Sequence, residues 1–587
     1  MDEKKFNQSV SYYKERLGNV KGKTTLVVMS LDDEQAYYSI APLSRAIHEK
    51  EGDIHVACFD GHSTLMESML KVWKIHRSYK NNEKSSATKA FRSFLTFATK
   101  KAGENLESIF KAPDYILRTG RHGFVGSLEM EYGAGWFKER KKKTLQKTCN
   151  TIWNQVYALK ENDRVGIGFE TIPSKENLDK PLSDYLDSYL IVREMLNQAR
   201  KITKNITLNT ASPRYSMLKP VERVSDLKAT ILGCELSKNI NEAVFRRWRD
   251  FSRFIGSGKI KHNTATFFIA GKGYPGKHIF GQTIGYPTPN RKTRWQSPGG
   301  IIYQPAHAPQ TKYDERAPKA RVGFTETLPV EVFIQTSNID WMKMKQKNDA
   351  LAKVAMKSDK FVVKSNSKGM YKTEFEVALV KKNGQKRKPL TSDVDIRNIQ
   401  DAGFYKETGI KAGNMGNIPG GEMFITPESV KGTIVGDVVI NIDQSYSLSA
   451  KNPMIIEAKK SGYRILKGPK KILDAFNKKL NEAKKILKKQ EKILPKEVVE
   501  LKKKNFRGIG EFAINTNPKA KVCDYLIVNE KIANMIHVAL GSGFEDDKAT
   551  EYHTDVVIDA PRQKLDIYGV DSRKNKFWVM KQGKLLK

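Results

Sequence analysis

The sequence predicts an α/β protein in two parts: an N-terminal α/β domain with a largely parallel sheet, and a C-terminal β-rich, mostly antiparallel domain. Two observations support this prediction. Apolar runs alternate with amphipathic stretches before residue 270, which is typical of strands and helices in a parallel sheet. Beyond Pro329 the pattern changes to short apolar segments separated by turn residues. We place the boundary near residue 320, which gives domains at 1–320 and 321–587.

The elements of the first domain follow from these apolar runs. The predicted strands are Thr24–Ser30, Ile54–Phe59, Val165–Phe169, Ile206–Asn209, Thr230–Leu236 and Thr264–Ala270. The predicted helices are Glu34–Lys50, Asp184–Ile202 and Glu242–Ile255. A basic helical insertion is expected at about 71–160, and a Gly/Pro-rich junction at 271–325.

The second domain has four predicted strands, at Val330–Gln335, Phe361–Lys364, Glu374–Val380 and Thr433–Ile442. One helix is expected at Ile339–Ser358. Within the lysine-rich stretch Lys459–Lys504, apolar residues recur at helical spacing, which indicates a basic amphipathic helix. We expect its apolar side to pack over the sheet and its lysines to face solvent.

Length and composition limit the class of protein. A chain of 587 residues is long enough for several domains, and 39% hydrophobic residues exclude a disordered chain. No run of about 18 apolar residues predicts a membrane span, and no apolar segment near Met1 predicts a secretory signal. The cysteines are scattered, which argues against a disulfide framework and favours a cytoplasmic location; they are Cys58, Cys149, Cys234 and Cys523.

The formal net charge of +38 is high and raises the question of an anionic partner. A nucleic acid is possible, and Asn290–Trp295 mixes cations with an aromatic residue as single-strand binders do. However, the lysines are spread along the whole chain, so a nucleic-acid partner is not favoured. No membrane partner is expected.

Acidic and imidazole side chains in the last third of the chain stand on apolar, glycine-punctuated segments. The candidates are Glu422, Glu511, His537, His553 and Asp555. Residues two apart on a strand point to one face, so His553 and Asp555 can reach the same site. Two imidazoles and three carboxylates suit divalent ions such as zinc, cobalt or manganese. The C-terminal domain is therefore predicted to be the metal-binding one.

The motifs around these residues resemble the thermophilic metallo-aminopeptidases of the aminopeptidase T and aminopeptidase S type. The resemblance covers roughly residues 370–587, and its strongest blocks are Asn417–Phe424, Gly508–Ala520, His537–Gly541 and His553–Val557. It implies a hydrolase that removes N-terminal residues from peptides with a water activated by two divalent metal ions. It also implies a homodimer, the five candidates as metal ligands, and Glu511 as the catalytic residue that bridges the metals.

One position departs from the family pattern. The family has a functional tyrosine shortly after the first ligand histidine, and the matching residue here is Phe544. Tyr552, beside His553, is the candidate to replace it as a catalytic residue. The candidates to hold a substrate amino group are four acidic residues that the sequence does not rank: Asp524, Glu530, Glu545 and Asp546. Two alternatives stay open: a divergent metal-dependent amide or ester hydrolase, and a non-catalytic basic nucleic-acid-binding protein on the same fold.

Overall fold

The computed structural model describes most of the C-terminal half and the central elements of the N-terminal half. The described residues are 3–16, 19–21, 24–30, 34–59, 115–118, 139–170, 181–211, 230–231, 234–235, 264–270, 321–367, 372–394, 415–491, 496–543 and 545–586. The predicted helix Glu242–Ile255, the motif Asn290–Trp295, residues 271–320 of the junction and much of the predicted insertion lie outside these ranges.

Strands and helices alternate in the described part of the N-terminal half, as its sequence pattern predicts. The strands are β1 (Thr24–Ser30), β2 (Asp53–Phe59), β3 (Tyr115–Arg118), β4 (Arg164–Glu170), β5 (Asn205–Ala211), β6 (Thr230–Ile231), β7 (Cys234–Glu235), β8 (Thr264–Ala270) and β9 (Arg321–Glu326). The helices are α1 (Glu3–Arg16), α2 (Glu34–Glu49), α3 (Glu139–Thr151), which continues as a π-helix at Ile152–Val156, and α4 (Leu182–Arg200).

These strands pair in parallel in two sheets. One has the order β2-β1-β3, and the other runs β13-β9-β8-β4-β5, where β13 is Met415–Asn417. The parallel sheet therefore continues past residue 320, and the division into domains at 1–320 and 321–587 stays a prediction. The single strand predicted at Thr230–Leu236 is wrong: β6 and β7 are two short antiparallel strands. Gly233 stands between them in the sequence, and glycine favours turns.

The C-terminal half contains two antiparallel sheets. Its strands after β9 are β10 (Lys360–Ser365), β11 (Glu374–Ala378), β12 (Leu390–Ser392), β13, β14 (Glu422–Ile425), β15 (Ser429–Gly436), β16 (Val439–Asn441), β17 (Ser445–Ser447), β18 (Met454–Lys459), β19 (Gly462–Lys467), β20 (Ile509–Asn515), β21 (Ile536–Gly541), β22 (His553–Ile558), β23 (Leu565–Val570), β24 (Lys576–Lys581) and β25 (Lys584–Leu585). The eight-stranded sheet has the order β19-β18-β15-β11-β10-β23-β24-β25, and the seven-stranded sheet has the order β12-β14-β20-β21-β22-β16-β17.

The two antiparallel sheets pack face to face over one apolar core. The rings of Phe361 and Phe375 in the eight-stranded sheet contact that of Phe512 in the seven-stranded sheet, with centroids 5.5 and 6.1 Å apart. Alternate residues of β20 to β22 belong to this core, so the remaining residues of those strands lie on the opposite face. That opposite face carries the candidate ligands.

The helices of the C-terminal half complete this arrangement. They are α5 (Val330–Ser337), α6 (Trp341–Lys357), α7 (Lys470–Gln490), α8 (Lys496–Asn505), α9 (Leu526–Asn529) and α10 (Ala560–Gln563), with a 3-10 turn at Asp546–Lys548. The predicted strand Val330–Gln335 is wrong, because these residues form α5. Pro329 precedes the helix with φ −58°, and Asp187 accepts a hydrogen bond from the Val330 amide at 2.9 Å, which caps the first turn. The sequence gives no sign of so distant a cap.

The predicted strand Thr433–Ile442 is also wrong as a single element. Its residues form β15 in the eight-stranded sheet and β16 in the seven-stranded sheet. The chain changes sheets at Gly436 and Asp437. A Cβ at Gly436 would lie 2.2 Å from the Val556 side chain, so the two sheets approach closely at this point.

The lysine-rich stretch is amphipathic, as its sequence predicts, but it forms more than one element. Residues 459–467 are the end of β18 and all of β19, and the helices are α7 and α8. The apolar side of α7 packs on the core through Ile472, Phe476, Leu480, Ala483 and Leu487. None of the described helices is both long and apolar enough to cross a membrane.

Candidate metal centre

Four adjacent strands of the seven-stranded sheet bring the predicted ligands together. β14 carries Glu422, β20 carries Glu511, β21 carries His537, and β22 carries His553 and Asp555. In the ladder, Ala539 pairs with both Glu511 and Asp555, which aligns these two carboxylates across the sheet. All five side chains lie on the face turned away from the apolar core.

The turn before β14 fixes the first carboxylate. Gly421 adopts φ +128°, and a Cβ there would lie 2.6 Å from the side chain of Asn517. Only glycine adopts this φ without strain and leaves out the Cβ that would clash with Asn517. The Asn517 amide group donates to the Gly420 carbonyl at 2.9 Å, and the Gly421 amide donates to the Ser392 carbonyl at 2.6 Å. Glu422 therefore enters the site from a rigid backbone.

Glu511 lies between the two imidazoles. Its Oε1 is 3.3 Å from His537 Nε2, and its Oε2 is 3.3 Å from His553 Nε2. His553 Nε2 is also 3.0 Å from Asp555 Oδ1, and His537 Nε2 is 3.8 Å from Glu422 Oε2. Two donor groups result, each with ligand atoms within 4.8 Å of one another. The first subsite is Glu422–Glu511–His537, the second subsite is Glu511–His553–Asp555, and Glu511 belongs to both.

The other ring nitrogen of each histidine is held by an acceptor outside the donor groups. His537 Nδ1 lies 2.9 Å from Asn515 Oδ1, and His553 Nδ1 lies 2.7 Å from the Ser542 carbonyl oxygen. Each Nδ1–H donates in these bonds, so each Nε2 is directed at the carboxylates. Such outer hydrogen bonds are a usual feature of metal-binding histidines.

The buried charges shift one another's pKa values. Burial would raise the pKa of Glu511, but hydrogen bonds with both histidines hold it at about 2. Burial opposes charge on His537, yet Glu511 and Glu422 raise its pKa to about 9. Asp555 and Glu511 raise the pKa of His553 well above its usual value, against the effect of burial. Without another cation the imidazoles therefore hold protons, with which a divalent ion would compete.

The surroundings of Glu422 also indicate that the donor set suits a divalent ion. Glu422 is 4% exposed, and its Oε2 has no hydrogen-bond partner among the described residues. Burial raises the pKa of this carboxyl above its usual value, although Lys531 and His537 oppose that shift. A buried carboxylate oxygen without a partner is costly unless a cation reaches it.

Two further charged residues belong to the site and were not assigned there by the sequence. Lys531 is 1% exposed, and its Nζ lies 2.5 Å from Glu422 Oε1 and 3.3 Å from Glu530 Oε1. Glu530 also interacts electrostatically with Asp555. Burial raises the pKa of Glu530 to about 8, against the effect of Lys531, so this carboxyl holds a proton near neutral pH.

The structure describes the side chains of three of the four acidic residues that the sequence left unranked, and that of Asp546 lies outside the described set. Among those three, only Glu530 lies beside the donor groups, as just described. Glu545 instead binds Arg387 and Lys381, and Asp524 is exposed. Lysine is so abundant in this chain that Lys531 carried no signal of its own, apart from its place in the apolar stretch 526–540.

The contacts of Tyr552 correct the expectation that it acts as a catalytic residue. Its side chain points to the core face, where its ring meets those of Phe476 and Phe506 edge-on. The hydroxyl donates to the Phe506 carbonyl at 2.5 Å and accepts from the Tyr463 hydroxyl at 2.7 Å. Strand alternation explains this, because His553 faces the site and its neighbour must face the other way. Phe544 lies outside the described residues.

Comparisons with known proteins find matches among solved structures alone. No protein-family model matches the chain, and no curated protein matches it. Four chains of solved structures match. One is wild-type AmpT from Thermus thermophilus, which is 14% identical, with a TM-score of 0.41, and the match covers 76% of this chain and 100% of that chain. At that TM-score the likeness carries no inference about function.

Proposed function

We propose that this protein is a metal-dependent aminopeptidase that removes N-terminal residues from peptides with the help of two divalent ions. The observation that carries the proposal is the position of Glu511. Each of its carboxylate oxygens lies 3.3 Å from a different histidine, and each histidine belongs to a separate donor group. A carboxylate shared in this way is the usual bridge of a two-metal hydrolytic site.

The residues divide into two sets of ligands. Glu422 and His537 would hold one ion, His553 and Asp555 would hold the other, and Glu511 would hold both. Zinc, cobalt and manganese each accept this mixture of imidazole and carboxylate. Ions bound there supply Lewis acidity to the scissile carbonyl and lower the pKa of the attacking water.

The protein's own groups would perform the remaining tasks. Asn515 and the Ser542 carbonyl keep the two imidazoles oriented through their Nδ1 atoms. Glu530 holds a proton near neutral pH, and a carboxyl with that property is suited to give a proton to the leaving amine. Carboxylates outnumber permanent cations around the site, which suits the positively charged amino terminus of a peptide.

The choice of a peptide as the substrate rests on the motif blocks around the ligands, which resemble metallo-aminopeptidases. The hydroxyl of Tyr552 is turned into the core, so it offers no substitute for the tyrosine that the family uses. This favours, as a second candidate, a metal-dependent hydrolase of other amides or esters. A purely nucleic-acid-binding role would give no reason for five ligand residues in one buried cluster. The homodimer and the cytoplasmic location stay predictions.

The test is hydrolysis by metal-loaded protein of short peptides with free or acetylated amino termini, beside simple amides and esters. Glu511→Gln keeps the shape of the side chain but removes the shared charge, so we expect a loss of roughly 10⁴-fold or more in kcat/KM. Glu194→Gln is the matched control, because Glu194 is equally buried (1% exposed) and lies outside the site. Cleavage of free and acetylated peptides alike would contradict an aminopeptidase. Cleavage of esters alone would favour the second candidate.

A further inference from the structure

Lys531 places a permanent positive charge against one side of the metal centre. Its backbone is fixed, because the Asn517 amide donates to the Lys531 carbonyl at 3.0 Å and the Lys531 amide donates to the Val528 carbonyl at 3.1 Å. Its side chain is 2% exposed and ends on two carboxylates. The ammonium group therefore cannot move away into solvent without breaking its buried contacts with Glu422 and Glu530.

The two oxygens of Glu422 consequently serve different partners. Oε1 is 2.5 Å from Lys531 Nζ. Oε2 has no hydrogen-bond partner among the described residues and is 3.8 Å from His537 Nε2. A divalent ion in the first subsite must therefore share this carboxylate with an ammonium group a few ångströms away. Like charges so close in a buried site repel strongly.

The second subsite has a different environment. In the part of the chain that the structure describes, no lysine forms an ion pair with the carboxylates of Glu511 or Asp555. Lys479 interacts electrostatically with Asp555, but it forms no ion pair with it, because its Nζ donates to the backbone carbonyls of Ile442 and His553. The Asp555 carboxylate contacts His553, with Oδ1 at 3.0 Å from Nε2.

We propose that Lys531 is an internal cation that makes the two metal subsites unequal. The second subsite fills first, and repulsion by Lys531 makes the first subsite bind its ion about 10- to 100-fold more weakly, which is the size of the changes in metal affinity that groups contacting a ligand from outside produce. The inference rests on the proposed function, since it presupposes two metal subsites. It implies that the protein responds to the concentration of free metal, because both subsites are occupied only when that concentration is high.

The experiment is a calorimetric titration of metal-free protein with Zn²⁺ in the presence of a competing chelator. Wild type should bind two equivalents in two separate steps. Lys531→Met keeps a similar length without the charge, and it should tighten the second step at least about tenfold. Lys531→Arg keeps the charge and should retain the two separated steps. Lys345→Met removes another buried, ion-paired lysine (side chain 3% exposed), whose partner Asp349 is not a predicted ligand, and should leave both steps unchanged.

The outcomes separate this inference from the proposed function. Equal affinity of the two subsites in wild type would overturn the inference, and that measurement needs no variant to fold. Weaker Zn²⁺ binding in Lys531→Met would also overturn it, since Lys531 would then act only by positioning Glu422. If wild type binds no Zn²⁺ at all, the proposed two-metal function fails, and the inference fails with it.

Discussion

Two buried charge clusters in the C-terminal half use the same residue types but differ in how their charges are balanced. In the first, Arg387 is fully buried and contacts Glu428, Glu545 and Asp547 at 2.6 to 2.7 Å. Lys381 pairs with Glu545 at 2.7 Å, and Lys548 lies 3.8 Å from Glu428. This Arg387 cluster therefore matches three carboxylates with three permanent cations.

The candidate metal centre has no such fixed balance. The carboxylates of Glu422, Glu511 and Asp555 face one lysine, Lys531, and two histidines whose charge depends on pH. When the histidines lose their protons the cluster carries surplus negative charge, and Oε2 of Glu422 is buried without a hydrogen-bond partner among the described residues.

The difference separates a structural cluster from a candidate functional one. A balanced buried cluster ties segments of the chain together, and removing one partner leaves charges uncompensated. An unbalanced cluster is costly by itself and becomes favourable when it takes up a cation. The Arg387 cluster should therefore contribute to stability at every pH and metal concentration. The contribution of the candidate metal centre should instead change with pH and with bound metal.

The largest effect on stability is expected for Arg387→Met. This change leaves three carboxylates without their central partner and should reduce the free energy of unfolding by about 3 kcal/mol, the lower end of the range for broken buried pairs. The lower end applies because Glu428 and Asp547 are partly exposed. Chemical denaturation measures the change.

Arg387→Lys is the matched variant for this prediction, because it keeps the charge but loses the bidentate geometry. Its free energy of unfolding should lie between those of wild type and Arg387→Met. Zn²⁺ affinity of the folded fraction should be unchanged in both variants. A large loss of affinity would show that the two clusters are not independent.

The next effect is a dependence of metal-free stability on pH. The pKa of His537 is raised from 6.5 to about 9 in the folded protein by Glu511 and Glu422, which outweigh burial. The stabilisation of the metal-free fold by protonated His537 is therefore fully present below pH 6.5 and is lost as pH rises through about 9. The free energy of unfolding should fall by up to about 1.4 kcal/mol per pH unit in this window.

Metal should reverse this trend, because a bound divalent ion needs the neutral imidazole. The increase in thermal stability caused by Zn²⁺ should therefore grow from pH 6.5 to pH 9, as measured with and without chelator. Arginine keeps its charge throughout this range, so the cost of Arg387→Met should not change with pH. A stabilisation by Zn²⁺ that is constant with pH would contradict protonated histidines in the metal-free site.

The sequence predicts the two clusters unequally. Each candidate ligand stands in a local motif of glycines and apolar strand residues, so their joint convergence was expected. Nothing local marks Arg387, whose partners lie 41 to 160 residues away. The same limit applies to Lys531, one of 103 lysine and arginine residues. Its role is set by Glu422, 109 residues earlier in the chain.

The fold shows a similar division. Strands such as Thr24–Ser30 and Thr264–Ala270 are predicted at their observed bounds, because a short apolar run in a parallel sheet is distinctive. The helix Val330–Ser337 and the division of Thr433–Ile442 between two sheets depend on Asp187 and Val556, which are distant in sequence. Tyr552 was assigned by its place beside His553, although strand alternation turns neighbours to opposite faces.

The smallest effect is expected at the rim of the Arg387 cluster. Lys381 is 26% exposed and contacts Glu545, which keeps its contact with Arg387 when the lysine is removed. Lys381→Met should therefore reduce the free energy of unfolding by roughly 0.5 kcal/mol and by no more than about 1 kcal/mol, as for other partly solvated ion pairs. Raising the ionic strength should remove most of this difference, because exposed charges are screened.

The double variant Lys381→Met with Arg387→Met shows whether the cluster acts as a unit. Glu545 would then have lost both of its cations. The free energy of unfolding should therefore fall by more in the double variant than the sum of the decreases in the two single variants. Denaturation curves of the four proteins give this coupling directly. Simple additivity would mean that Glu545 is hydrated well enough to need neither partner, and the contrast with the buried Glu422 would then rest on solvent access rather than on charge balance.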